Sequence, residues 1–447
     1  MIKEVIKFVI VSGWYLALPP ILAMYLKGNR NRQRWAMGLL VFMISWHINK
    51  FTLMLGSIEW YRGHTKGFEF SLFVPLSLGI TLAAVMGRTP GARWFPPGAG
   101  WWALYCGASM LSIIAAPNAS YVLMAGWKFS TAGVILVAAY NYLNDEEDLR
   151  WLLRAMAFTL AVQAAVVLKM KYVDGFYQVR GWFEHQNPLA MWAYMMGLPL
   201  LAVVMSKADK IDTRWWTIGF MSSGIIVQSA LSRAALAVFA VGVVGVMLAG
   251  LVDGITSRRM RTMLAMGAVG MLGLLATADT IIARFGDKGN DASGETRDVM
   301  NLASAAMLKD SAIGLGWNNF ALTINAPFPY GDVINDWERD RGHKVDEDYA
   351  KGVVESHYWL LLAESGYGGF LTYMFMIMIT GWWALRGAWD RRGTLAGVFL
   401  SAVAIAFLLT YAHSQLERVL TQTKNLAMWM VLVGCVARLE AQRKGRA

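Results

Sequence analysis

Long apolar stretches, rather than short alternating ones, dominate this chain. Mainly apolar runs fall at roughly 5–26, 35–55, 70–87, 98–116, 120–143, 149–170, 188–206, 215–232, 234–252, 262–278, 358–385, 394–412 and 425–437. A helix needs about 20 such residues to cross the hydrocarbon core of a bilayer. Pro19-Pro20 interrupts the first run, which is expected to be bent or only half-crossing, so twelve or thirteen spans are predicted. No small-residue cleavage site follows that run, and a cleavable signal peptide is not expected. The pattern breaks once, over the polar stretch 278–356. Inside it Val299, Leu302, Ala303, Ala306 and Met307 recur at helical spacing and predict a helix over 297–308. The expected organisation is an N-terminal transmembrane bundle (1–277), a large loop (278–357) and C-terminal transmembrane helices with a tail (358–447).

Composition narrows the class. Of 447 residues, 56% are hydrophobic and 16% charged, against about 25% charged in soluble domains. There is too little polar sequence to cover the two or three soluble domains that this length implies. The expected fold class is an all-α polytopic membrane protein. Cys106 and Cys435 stand alone in distant apolar runs and support neither a disulfide framework nor a thiolate metal site.

The net charge of +11 suggests nucleic acid only until it is mapped. The stretch 278–356 carries 8 basic and 14 acidic residues, so the excess of positive charge lies in short connections between apolar runs. One alternate set of connections holds 21 Lys/Arg, including Arg30, Arg34, Arg88, Arg150, Lys207, Arg259, Arg391 and Arg438. The other holds 8: Arg62, Lys66, Lys169, Lys171, Arg180, Arg233, Arg418 and Lys424. The richer set is expected to face the cytoplasm. The acidic run Asn144-Asp-Glu-Glu-Asp148 fits that side poorly. The loop 278–356, Arg180 and Arg233 then share the opposite face, and no nucleic-acid partner is expected.

Five places can carry chemistry. His357, in Val354-Glu355-Ser356-His357-Tyr358, stands where the polar loop re-enters the membrane. A partly desolvated imidazole there is held neutral and can accept a proton from a hydroxyl, unless it only caps the helix. The run Gln178-Val-Arg180-Gly-Trp-Phe-Glu184-His185-Gln186-Asn187-Pro188 gathers a cation, a carboxylate and amides before a helix. Asn187 is the expected N-cap, and the helix start can attract an anion. Arg233 follows an almost absent connection, at or near membrane depth, where an ionised group is costly. Its planar fork can grip phosphate oxygens, or it can snorkel outward. Gly294-Glu-Thr-Arg297 and Gly314-Leu-Gly316-Trp-Asn-Asn-Phe320 form a Gly-rich segment without the Lys-Ser/Thr of a P-loop. Asp336-Trp-Glu338-Arg-Asp340 and Asp346-Glu-Asp348 resemble metal-binding pairs but read better as a solvated face. His47, His64, His343 and His413 show no metal-ligand spacing, and no metal is expected.

In order, Arg180-Gly, Asn187-Pro-Leu-Ala, Leu231-Ser-Arg233-Ala-Ala, Gly294-x-x-Arg297, Gly314-x-Gly316-x-x-x-Phe320 and Ser356-His357-Tyr358…Ala363-Glu-Ser-Gly366 span about 175–370. This set resembles the bacterial O-antigen ligase and polymerase superfamily, and is most similar to the O-glycosylation ligases associated with exosortase systems. Tyr358 departs from the family's usual Asn after the His. The resemblance implies a C-type membrane glycosyltransferase of the bacterial inner membrane, with one large periplasmic loop and its active site facing the periplasm. The donor would be a glycan on undecaprenyl diphosphate. The acceptor would be lipid A-core oligosaccharide or a protein hydroxyl, transfer would invert the anomeric centre, and no metal or cofactor would be needed.

On that reading His357 is the base, and Arg180 and Arg233 stabilise the departing diphosphate. Arg297, Gln186, Asn187, Glu184 and Glu355 bind or orient the substrates. Trp182, Trp317 and Trp359 are candidates for stacking on sugars. His357, Arg180 and Arg233 are expected to meet around one pocket. The alternatives are a repeat-unit polymerase, which joins the glycan to another lipid-linked unit, and a transporter. The latter predicts internal symmetry, which the sequence does not show.

Overall fold

A computed structural model describes residues 2–46, 52–206, 212–252, 289–342 and 351–445, with scattered positions between 254 and 282. His47, His343, Lys207, Asp346, Glu347 and Asp348 lie outside the described residues, as does almost all of the run 262–278.

The described chain is mostly helical. In order come α1 (Ile2–Leu26), α2 (Arg30–Ser45), the strands β1 (Leu53–Leu55) and β2 (Phe68–Phe70), and then α3 (Phe73–Met86) and α4 (Ala99–Met110). They are followed by α5 (Ala119–Tyr142), α6 (Glu146–Leu168), α7 (Gln186–Met205), α8 (Thr213–Ala230) and α9 (Arg233–Val252). The polar stretch supplies α10 (Gly289–Asp310), α11 (Phe320–Thr323) and α12 (Asp332–Asp340). The last three are α13 (His357–Asp390), α14 (Leu395–His413) and α15 (Thr423–Arg443). Seven of the described helices are long and apolar enough to cross a membrane, and α3 and the 99–114 segment are shorter apolar helices. This is the architecture of a mostly helical, multi-pass membrane protein.

Three local expectations are corrected. Pro19 and Pro20 lie inside a continuous α1, which packs along α3. A long apolar helix keeps its remaining backbone bonds and tolerates the two that proline removes. The run 35–55 ends as helix at Ser45 and continues as an antiparallel hairpin, with Leu53 opposite Phe70 and Leu55 opposite Phe68. The N-cap of α7 is His185, whose Nδ1 accepts from the Asn187 N–H, so the Asn187 side chain is released for other work. The predicted 297–308 helix lies inside α10.

Short connections make successive helices antiparallel. They sort the described loops onto two ends of the bundle. At the basic end Asp148, fully buried, accepts from Arg30 and from Arg34 Nε (2.9 Å). Asp145 and Asp148 form a capping box for α6, and Arg154 reaches Asp212. The acidic run that fitted this side poorly is therefore the counter-charge for arginines of the same end. Arg438 ties the end together by donating to the carbonyls of Pro90, Gly91 and Leu143. The opposite, loop-rich end carries the hairpin, the 169–185 segment, α10 to α12 and the 414–422 connection.

Candidate functional site

The site is built where α13 starts and α14 finishes. Ser356 caps α13, and the His357 N–H donates to the carbonyl of Ser414 (2.9 Å). His357 is 1% exposed, with its ring edge-on to Tyr373 at 5.1 Å between centroids. Neither ring nitrogen has a hydrogen-bond partner. A buried polar group in that state calls for an explanation, since nearly all such groups are paired. His413 ends α14 beside it. Its Nδ1 is hydrogen-bonded to the Tyr194 hydroxyl (3.1 Å), and its buried Nε2 has no partner.

A cluster of charge lies beside His413, where α14 ends. Arg297, from α10, pairs with Glu355 and lies 3.5 Å from Glu417. Asn187 donates to the same Glu417 carboxylate (2.6 Å). Burial and the neighbouring Glu355 charge push the Glu417 carboxyl up to about 7, although Asn187, Arg297 and Arg418 oppose the shift. Glu417 is thus an acid poised between its two forms near neutral pH. Arg418, half-buried, lies within electrostatic range of Glu355, Glu417 and Glu364. Burial also lowers the His185 imidazole below its ordinary value.

Behind His357 a second construction holds α13 in place. Gly366 takes φ +62° and ψ −164° inside α13, a conformation open only to glycine, and breaks its hydrogen-bond ladder. The 312–316 loop enters this break. Leu315 N–H donates to the Ala363 carbonyl (2.9 Å), Gly316 N–H to Glu364 (3.1 Å), and Tyr367 N–H to Ala312 (3.0 Å). A Cβ on Gly366 would stand 2.2 Å from the Ala312 oxygen, and one on Gly314 would stand 2.4 Å from the Glu364 carbonyl carbon. The two Gly-containing motifs are therefore one contact. It aims the buried Glu364 carboxylate at the Phe320 N–H (3.1 Å) and at His64 Nε2 (3.1 Å). Burial lowers the His64 imidazole, against the pull of Glu364. His64 in turn lies within electrostatic range of His357. Asn318 clamps the hairpin to the loop by bonding both the N–H and the carbonyl of Thr65 (3.1 and 2.8 Å).

The sequence-derived residues separate accordingly. His357, Arg297, Glu355 and Asn187 come together. The Gln186 side chain bonds Gln178 (3.4 Å), and Glu184 lines a cavity on the hairpin side. Among the described residues no hydrogen bond or ion pair joins His357 to Arg180 or Arg233. Arg180 is exposed on the 169–185 segment, next to Gly181 at φ +52°. Arg233 is half-buried at the start of α9, without a partner among the described residues. It does share the site's end of the bundle. Gly242 lies against Leu198 of α7 and Leu409 of α14. Nine residues back along α9, about 13 Å, Arg233 reaches the level where α7 begins and α14 ends.

Trp317 is 1% exposed and packs on Phe129 and Tyr105, so it is closed to a glycan. Asp336, Glu338 and Asp340 lie on α12, with Asp336 pairing Arg339. His413, Glu417 and Arg418 were missed because a short polar turn between apolar runs looks like an ordinary interface. The available signal was His413-Ser-Gln-Leu-Glu417-Arg418 itself, three ionisable groups in six residues on the predicted outer face.

No protein-family model matches the chain, and no curated protein matches it.

Proposed function

We propose that the chain is a membrane glycosyltransferase of the O-antigen ligase type, moving a glycan from undecaprenyl diphosphate to an acceptor hydroxyl. In this reading it spans the bacterial inner membrane twelve or thirteen times. The loop-rich end faces the periplasm, and the acceptor is lipid A-core oligosaccharide or a protein. Neither metal nor cofactor takes part.

The observation that carries the reading is the His357 imidazole, buried with both nitrogens unpartnered at the end of the bundle that also holds Arg297 and Arg418. The acceptor oxygen attacks the anomeric carbon from the face opposite the leaving group, and its proton passes to His357. The bond to the diphosphate oxygen breaks, and both electrons leave with undecaprenyl diphosphate. The developing negative charge needs fixed cations in a water-poor place. Arg233 and Arg418 supply them at this end of the bundle, with Arg180 at its exposed rim. Arg297 is committed to Glu355 and Glu417 and orients that pair. Asn187 and Glu417 form a second acceptor-binding edge.

The test is a reconstituted transfer assay on the purified full chain with lipid-linked glycan, each acceptor in turn, and EDTA. Product on the acceptor with released undecaprenyl diphosphate, undiminished by EDTA, is expected. Glycan joined to a second lipid-linked unit identifies a polymerase. Donor crossing the bilayer intact identifies a transporter, and loss of turnover in EDTA returns attention to the acidic residues of the loop.

A further inference from the structure

Between α6 and α7 the chain dips back into the bundle. α6 and the π-helical turn after it run to Val173. Gly181 packs back against that helix: a Cβ there would meet the side chains of Gln163 and Val167. Those partners stand ten and six residues before Val173, about 15 and 9 Å back along the helix axis. The way out is as steep. The Phe183 ring lies 5.4 Å from that of Trp192, which is six residues, or about 9 Å, inside α7. Lys424 Nζ donates to the carbonyls of Trp182 and Ser45, tying this stretch to the end of α2. Residues 174–185 therefore form a re-entrant loop, and its tip, Gly181 to Phe183, lies below both flanking helix ends.

The loop forms part of the wall of a cavity of about 570 Å³ that opens at the loop-rich end. Phe183, Glu184, Met43, Lys128, Thr423 and Lys424 are on that wall. The helices give its depth. At the basic end Arg438 donates to the Leu143 carbonyl, and Arg30 to the Tyr142 carbonyl and to Asp148. Lys128 stands fourteen residues along α5 from Tyr142, and Lys424 fourteen along α15 from Arg438, about 21 Å in each case. From Asp148 the helix through α6 runs twenty-five residues to Val173, about 38 Å. Both lysines thus lie about 17 Å below its outer end, near the middle of a hydrocarbon core about 30 Å thick. Non-helical backbone at that depth persists only where protein covers it or it lines a water-filled cavity, and ionisable side chains there call for the same surroundings. Lys128 and Lys424 are each within electrostatic range of Glu69 and Glu184, so this part of the wall favours neither sign of charge. Gln163, 0% exposed against the loop tip, has neither its amide nitrogen nor its oxygen partnered among the described residues. Buried amides are almost always satisfied, by protein or by ordered water.

We infer that the cavity is a water-filled vestibule, entered from the loop-rich face, that admits small hydrophilic solutes of either charge to about the middle of the membrane along the re-entrant loop. Irregular backbone and two pairs of opposite charges are then hydrated at a level where lipid would exclude them. The inference does not depend on glycan transfer.

The experiment measures thiol modification of the full chain in lipid nanodiscs by two charged methanethiosulfonates, one carrying a trimethylammonium group and one a sulfonate. The native Cys106 and Cys435 are buried, and the wild-type chain supplies the background. Met43→Cys and Thr423→Cys place a thiol on the cavity wall from two different helices. Phe158→Cys places one at the level of Met43 but on the exposed side of α6, where the Phe158 ring lies 5.9 Å from that of Phe42. Asp332→Cys, exposed at the start of α12, is the reference in water. Both reagents are expected to modify the two wall positions at least about a hundredfold faster than Phe158→Cys, because charge is excluded from hydrocarbon. Wall positions as slow as Phe158→Cys overturn the inference, since the cavity is then closed to water. Phe158→Cys as fast as Asp332→Cys overturns it too, since that level is then outside the hydrocarbon.

Discussion

Replacing Gly366 by Ala tests whether the Gly314–Gly366 contact holds the site together. The new Cβ would stand 2.2 Å from the Ala312 oxygen and 2.4 Å from the Ile313 carbonyl carbon, both backbone atoms that cannot swing aside. The residue would also have to keep φ +62° with ψ −164°, which costs about 1–3 kcal/mol outside glycine. Relief requires the loop to leave the kink, giving up the bonds Leu315 to Ala363, Gly316 to Glu364 and Tyr367 to Ala312, about 1 kcal/mol each. Taking the smaller of the two routes gives about 3 kcal/mol, or roughly a hundredfold increase in local opening. Hydrogen exchange read by mass spectrometry on peptides covering 311–320 and 363–370 should show that acceleration. Gly314→Ala should produce the same pattern, since its Cβ meets the Glu364 backbone at 2.4 Å. The double variant should add little, because the contact is already open. Exchange close to wild type in both peptides, in a folded protein, would refute the reasoning.

Three further outcomes follow from the same geometry. Glu417, with its carboxyl pushed up to about 7, should give kcat/KM a limb near neutral pH that Glu417→Gln removes. The folded state holds this proton while the unfolded chain, near 4.5, has released it, so stability should fall as pH rises from about 4.5 to about 7, and the Gln variant should lose that slope. Asp148→Ala removes the buried carboxylate shared by Arg30 and Arg34 and leaves two backbone N–H groups without their acceptor. It should cost about 3–5 kcal/mol, read as a lowered unfolding midpoint in detergent; an unchanged midpoint contradicts the counter-charge assignment. Arg297→Ala frees Glu355 and Glu417 to repel each other. It should move the neutral limb of the pH profile upward, and a limb that stays in place removes Arg297 from the site.

Much of the architecture was legible because an apolar run of membrane length leaves the chain few options. The distribution of Lys and Arg also separated the two ends as the helices do, with Arg34, Arg154 and Arg438 at one and Arg180, Arg233 and Arg418 at the other. What stayed hidden was of two kinds. Backbone events inside apolar runs leave no polar signature: Gly366 breaks α13 within an apolar helix, while Pro19-Pro20, a strong breaker on paper, leaves α1 continuous. Partnerships across hundreds of residues leave none either. Glu364 and His64 bond across 300 positions, and Asn187 and Glu417 across 230. Each is unremarkable where it stands in the sequence. His357, Glu355 and Asn187 were legible because each marks the edge of an apolar run, and Arg297 only through the Gly294-x-x-Arg297 motif inside the polar stretch. Arg180 and Arg233 were legible by the same rule, which locates a residue at an end of the bundle but not within reach of a given side chain.

The central claim, that the unpartnered His357 imidazole takes the acceptor proton, is tested most directly by single-turnover transfer in His357→Ala with saturating lipid-linked donor. Loss of a general base predicts a rate lower by about 10²–10⁴, with donor affinity retained. A transfer rate within a few-fold of wild type would contradict it.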